Sequence, residues 1–246
     1  MKKIFILDEV FKKGTVVTVE GDIHRHISSV LRSKPGETFV VGDKENNEFI
    51  GVVERVKNDH TVILLRDFYY REEFHYPETI LFFAVLKGDK NEEIIQRCTE
   101  IGADIFVPVI AEKTIVKIDS DTAAKKIIKW QKTAKEAASQ CGRLKIPHIC
   151  PIIKFNEVEK FSSGSLKITA SLEKTSKSFI NLLNDNKNFD KISLFAGPEG
   201  DFSKKELDTL RDNGWNKVKL ANNVLRSETA CFFMISSLFF YYGRGI

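Results

Sequence analysis

The hydrophobic rhythm of the chain changes part-way along. Over residues 1 to about 72, apolar residues come in short β-branched runs: Thr15 to Val19, Thr38 to Val41, Phe49 to Val56 and Thr61 to Leu65. Turn signals at Pro35-Gly36, Gly42-Asp43 and Asn58-Asp59 separate them, the pattern of consecutive short strands. One segment with helical spacing, Ile23 to Arg32, interrupts the series. So many short strands in so small a span predict a small β-barrel. The stretch Tyr70 to Pro77 breaks the periodicity, so a boundary is expected there, with domains of 1–72 and 73–246.

Beyond that point strands and helices alternate. Ile80 to Leu86, Ile105 to Ile110, Leu166 to Leu172, Ile192 to Ala196 and Val218 to Leu220 read as strands. Asn91 to Ile101, Thr122 to Gly142, Ser203 to Asn213 and Glu228 to Tyr242 read as helices. Ser203 with Glu206 three residues on is a capping box. Such alternation implies an α/β domain with a parallel sheet. In the long helix Ala123, Ile127, Trp130, Ala134, Ala137 and Cys141 form one apolar stripe. Lys125, Lys129, Lys132, Glu136, Ser139 and Arg143 repeat that spacing about 200° round the axis. The last helix has no polar face, since Phe232 to Ile235 and Leu238 to Tyr241 point all round it. It must be covered on every side, either by its own sheet and a second copy, which predicts a homodimer, or by a fully internal position.

Charge adds a direction. The net charge is only +4, yet residues 121–154 hold eight Lys or Arg against two acids. A basic strip on a near-neutral body suggests a polyanion-binding face; the alternative is a solvated helix face. Cys98, Cys141, Cys150 and Cys231 form no C-x-x-C pair and have no His at zinc spacing. They read as thiols of a cytoplasmic protein without a metal site. The N-terminus meets Asp8 too early for a signal peptide, and the apolar run Cys231 to Tyr242 is short of the roughly 20 residues that span a bilayer. No membrane association is expected.

Two strand-to-helix segments carry the chemistry. Gly197-Pro198-Glu199-Gly200-Asp201-Phe202-Ser203 follows one strand. Its glycines permit unusual backbone angles and close approach of a ligand, at the strand end where open α/β sheets bind ligands. It lacks the Gly-Lys-Ser/Thr of a P-loop and the G-x-G-x-x-G of a dinucleotide site, and an ordinary tight turn is the plain alternative. Leu220-Ala221-Asn222-Asn223-Val224-Leu225-Arg226-Ser227-Glu228-Thr229-Ala230 follows another strand. The Asn pair favours a turn. Arg226 stands alone before an apolar helix, held either by an anion or by Glu228.

In this order and spacing the two segments resemble those of the RsmE-type family, small-subunit (16S) ribosomal RNA uridine N3-methyltransferases of the SPOUT superfamily. His26-Ile27 with Val30-Leu31-Arg32, Lys87-Gly88-Asp89-Lys90, Thr99-Glu100-Ile101-Gly102-Ala103, and Glu136 with Gln140-Cys141-Gly142-Arg143 and Pro147 are similar to further motifs of that family. The resemblance covers almost the whole chain. It implies a trefoil-knotted SPOUT parallel-sheet domain preceded by a small PUA-like β-barrel, working as a homodimer on 16S rRNA within the small ribosomal subunit. It also implies S-adenosyl-L-methionine (SAM) held by Leu172, Glu173, Gly197, Pro198, Glu199, Gly200, Leu220, Ala221, Asn222, Asn223 and Leu225. RNA contacts are expected from His26, Arg32, Lys87, Lys90, Lys125, Lys129, Lys132, Gln140 and Arg143. The chain departs from the family at Asp201 and Ala221, where Gly is usual, and at Ser227, where Thr is usual.

Transfer of a methyl group to uridine N3 requires that nitrogen as its anion, placed in line with the donor. Arg226 or Arg143, oriented by Glu228 or Glu136, is expected to stabilise that anion. The competing readings are ribose 2′-O-methylation and a non-catalytic RNA-binding module.

Overall fold

The structure is a computed structural model that describes residues 2–5, 9–43, 47–69, 77–116, 118–143, 145–171, 177–186 and 189–242. The boundary expected at Tyr70 to Pro77 falls, but for Pro77, outside these residues. The chain divides into two compact units, one of residues 1–73 with 139–145 and one of residues 74–138 with 146–246.

The first unit holds β1 (Lys2–Phe5), β2 (Val16–Val19), α1 (Gly21–Arg25), β3 (Thr38–Gly42), β4 (Glu48–Val56) and β5 (Thr61–Phe68). They form one sheet in the order β1-β3-β4-β5-β2, antiparallel except for the β1–β3 pair. The expected helix over Ile23 to Arg32 is α1 followed by a π turn at His26–Val30. It stops at Arg32, whose φ of 50° no helix continues. Ile27, Phe39, Val41, Phe49, Ile63 and Leu65 pack the core. Gly51 is there for space: a Cβ would stand 2.6 Å from Val41 Cγ2 and 2.8 Å from Ile63 Cγ2.

The second unit runs β6 (Glu78–Ala84), α2 (Lys90–Ile101), β7 (Ile105–Ile110), α3 (Ser120–Cys141), β8 (His148–Ile149), β9 (Ile153–Lys154), α4 (Val158–Phe161) and β10 (Leu166–Ala170). It continues with β11 (Lys177–Ser178), α5 (Phe179–Asp185), β12 (Lys191–Ala196), α6 (Lys204–Asp212), β13 (Asn216–Lys219) and α7 (Ser227–Tyr242). The sheet order is β11-β13-β10-β12-β6-β7-β8, with β9 also beside β7, and every pair is parallel. Side chains alternate across it, as period two requires. Leu81 and Phe83 of β6 join a core with Ile94, Trp130, Ala134, Met234 and Ile235. Ile80 and Phe82 join the opposite core with Phe195, Phe202, Leu207 and Trp215. Both faces are covered, which is why these strands read as continuous apolar runs.

One packing expectation needs correction, and one alternative falls away, the fully internal position of the last helix. The stripe of α3 is buried at Trp130, Ala134 and Ala137, but Cys141 is exposed, because the core ends before the helix does. In α7 only the face of Ala230, Cys231, Met234, Ile235 and Leu238 is buried, while Phe233, Phe239 and Phe240 are 40%, 38% and 87% exposed. Within a single chain this helix is therefore not covered all round. Among the described residues no helix is long and apolar enough to cross a membrane. No disulfide joins any of the four cysteines, all of which are among the described residues.

Candidate active site

Three neighbouring parallel strands, β13, β10 and β12, end on the same side of the sheet. The segments that leave them enclose a cavity of about 230 Å³. Ala170 ends β10 and Ser171 follows it; Gly197, Pro198, Glu199 and Asp201 follow β12; Leu220, Ala221 and Asn223 to Arg226 follow β13, and Ser227 and Ala230 add the first turn of α7. This is where an open parallel sheet leaves backbone groups free for a ligand.

The loop after β12 is held from several sides. The Asp201 N–H donates to the Pro198 carbonyl at 2.9 Å, closing a turn. Its unusual backbone angle lies at Asp201, φ 56°, and not at the glycines, as the sequence reading had it. Asp is among the few side chains that tolerate this region, and its Oδ1 accepts from the Phe202 N–H at 2.8 Å. Gly197 instead provides closeness, since a Cβ there would meet the Phe202 ring at 3.0 Å. The Ser227 hydroxyl donates to the Gly197 carbonyl at 2.5 Å, which ties the start of α7 to this loop.

The capping box also forms. Ser203 N–H donates to Glu206 Oε2 at 2.8 Å, and Glu206 N–H to Ser203 Oγ at 3.3 Å. Glu206 is only 5% exposed, and its second oxygen accepts the Glu112 N–H at 2.8 Å. Lys113 donates to the Gly200 carbonyl at 2.7 Å, and Ser203 to Glu112 Oε2 at 2.7 Å. The segment after β7 thus straps the loop after β12, a contact between residues about 90 positions apart that no local signal announces.

The expected site residues separate. Gly197, Pro198, Glu199, Leu220, Ala221, Asn223, Leu225 and Arg226 line the cavity; Gly200 and Asn222 do not. Leu172 and Glu173 lie outside the described residues. Arg226 is exposed and forms no ion pair among the described residues. Glu228 is 7% exposed and faces Lys90 at 3.7 Å, not Arg226. Lys90, expected on RNA, also donates to Glu199 Oε1 at 3.3 Å. Glu136 pairs with Lys132 on the exposed face of α3, and Arg143 follows the end of that helix. His26, Arg32, Lys87, Lys125, Lys129, Lys132 and Gln140 are exposed. Lys129 is engaged by Glu92 at 2.8 Å, and that hydrogen bond raises its pKa. Ala170 and Ser171 were missed as lining residues, though they lie just before the expected Leu172 in sequence; Asp201, Val224, Ser227 and Ala230 also line the cavity and fall within the two segments already singled out.

The sequence pattern of the RNA methyltransferase domain matches residues 72–239. The chain belongs to the RNA methyltransferase domain family. Ribosomal RNA small subunit methyltransferase E of Bacillus subtilis is 27% identical over 246 residues, covering 97% of this chain and 96% of that protein. The protein of the same description from Aquifex aeolicus is 31% identical over 164 residues, 66% of this chain and 69% of its own. Among solved structures, ribosomal RNA small subunit methyltransferase E of Neisseria gonorrhoeae, bound to S-adenosyl methionine, matches with a TM-score of 0.83 and 25% identity over 98% of each chain.

Proposed function

We propose that this RNA methyltransferase family member uses SAM to methylate N3 of a specific uridine in small-subunit (16S) ribosomal RNA, in the decoding region near the 3′ end. The observation that carries the reading is the cavity at the ends of β10, β12 and β13, walled by the two segments that resemble the RsmE type. Its lining fits a compact cationic ligand: backbone brought close by Gly197, apolar Leu220, Ala221 and Leu225, and the carboxylates of Glu199 and Asp201. SAM would supply an electrophilic methyl group there.

Arg226 is the residue best disposed to stabilise the uridine anion, because it lines the cavity as a cation without an ion pair among the described residues. A guanidinium donates to the carbonyl oxygens beside N3 and offsets the charge that develops when the N3 proton leaves. Arg143 with Glu136 is the alternative. Single-turnover methylation by R226A and R143A decides between them, and full rates in both would remove the proposal for either arginine. His26, Arg32, Lys87, Lys125, Lys132, Gln140 and Arg143 are proposed to hold RNA, with Lys129 acting through its remaining donors.

A PUA-like barrel over 1–72 and a knotted SPOUT domain over 73–246 are part of this reading. The all-parallel sheet of the second unit supports an α/β frame for the latter. The uncovered Phe233 and Phe240 of α7 support a homodimer, and the cytoplasm is the compartment where the substrate resides. Methylation of RNA from cells lacking the protein, followed by mass mapping of the product nucleosides, tests the function. N3-methyluridine in small-subunit rRNA is expected; a 2′-O-methyl nucleoside would contradict it.

A further inference from the structure

Five charged side chains line or back the cavity. Glu199, Asp201 and Arg226 line it. Behind them the Lys90 ammonium stands 3.3 Å from Glu199 Oε1 and 3.7 Å from Glu228 Oε1. Together they leave one net negative charge, and water screens them unequally. Arg226 and Glu199 are both exposed, so their charges are weakly felt across solvent. Glu228 is 7% exposed and its Oε2 has no hydrogen-bond partner among the described residues. Its neighbours Ser227 and Ala230 both line the cavity. A buried carboxylate with an empty acceptor is costly unless a cation nearby offsets it, and Lys90 is shared with Glu199. The negative field reaches its surroundings: burial first, then the Glu228 carboxylate, push the Cys231 thiol well up.

Methyl transfer changes the charge of the cofactor. As the methyl carbon bonds to uridine N3, whose proton leaves, the carbon–sulfur bond would break with its electron pair left on sulfur, and the cationic sulfonium would become the neutral thioether of S-adenosylhomocysteine (SAH). Donor and spent cofactor share every other group, so a net negative wall holds the first more tightly than the second. We propose that Glu199, Lys90 and Glu228 form a charge selector that favours the cationic donor over the neutral product and so speeds cofactor exchange. Lys90 sets its strength by neutralising one of the two carboxylates, as a positioning residue and not as an RNA contact. This rests on the function proposed above.

The test is calorimetric titration of the full-length protein with SAM and with SAH, read as the ratio of their affinities. A unit charge changed at the cavity wall is expected to shift that ratio by roughly fivefold. In K90M, which leaves both carboxylates unneutralised, the preference for SAM should rise about fivefold. In E228Q it should fall by a similar factor, and K90R should match the wild type. A clasp that only shapes the cavity would change both affinities together. An unchanged ratio in K90M and E228Q, with folding verified by thermal melts, therefore overturns the selector even if binding weakens. Wild-type protein that binds neither compound would instead overturn the methyltransferase reading on which the selector rests.

Discussion

Replacing Glu206 with Ala tests how the loop after β12 is fixed. The buried carboxylate accepts the Ser203 and Glu112 N–H groups, each at 2.8 Å. Ala leaves both donors without that partner and removes half of a capping box. A hydrogen bond to a charged acceptor contributes about 1.5–3 kcal/mol and a cap about 1 kcal/mol. These terms overlap at Ser203, so the expected loss is about 3 kcal/mol. For a chain of this size each kcal/mol moves the melting temperature by about 2–4 °C, giving a fall of roughly 6–12 °C. Glu206→Gln keeps one accepting oxygen and should lose about half as much. Thermal and urea unfolding of both variants measure this. An E206A loss below about 1 kcal/mol, or an E206Q loss equal to it, would refute the two-sided role of the carboxylate.

Gly51→Ala should destabilise by about 2–3 kcal/mol through overpacking, because its Cβ would meet Val41 and Ile63 below 3.0 Å; a melt within error of wild type would count against the packing described. At Glu92 burial raises the carboxyl pKa, but the hydrogen bonds from Lys129 and Trp130 outweigh it and hold it below the ordinary 4.5. A carboxyl lowered by folding stabilises fully above its unfolded value, and the gain is lost as pH falls through the folded one. Between about pH 5 and 3 the wild type should therefore lose more stability than E92Q in denaturant titrations, and parallel curves would exclude the linkage. Lys125→Ala should lower the salt slope of single-stranded RNA binding by about 0.7, while Lys129→Ala, where the charge is already paired with Glu92 at 2.8 Å, should lower it less; two equal slopes would remove that distinction.

The strands β6 and β7 were legible because both faces are buried and their sequences are nearly continuous apolar runs, and β10 and β12 because buried apolar residues dominate them despite Lys167, Thr169 and Ser193. The capping box at Ser203 was legible because its logic is local. The two-residue strands β8, β9 and β11 carry too little pattern to be read, and their pairing depends on neighbours already in place. The two cavity segments showed in sequence because glycine, proline and asparagine mark turns. The partners of Lys90 did not: Glu199 is 109 residues away, and a lysine in a turn looks alike whether it meets a phosphate or two carboxylates. In the same way the positive φ at Asp201, and not at the glycines of its loop, is a matter of backbone angle that composition does not record.

The central claim is that the cavity at the ends of β10, β12 and β13 holds the methyl donor. Ala221 lines that cavity and is only half buried, so Ala221→Phe fills it without entering a core. Calorimetry of SAM with the wild type and with A221F, each shown to melt at the same temperature, is the direct test. One SAM site per chain in the wild type and none in A221F is the predicted result; equal binding by both proteins would contradict it.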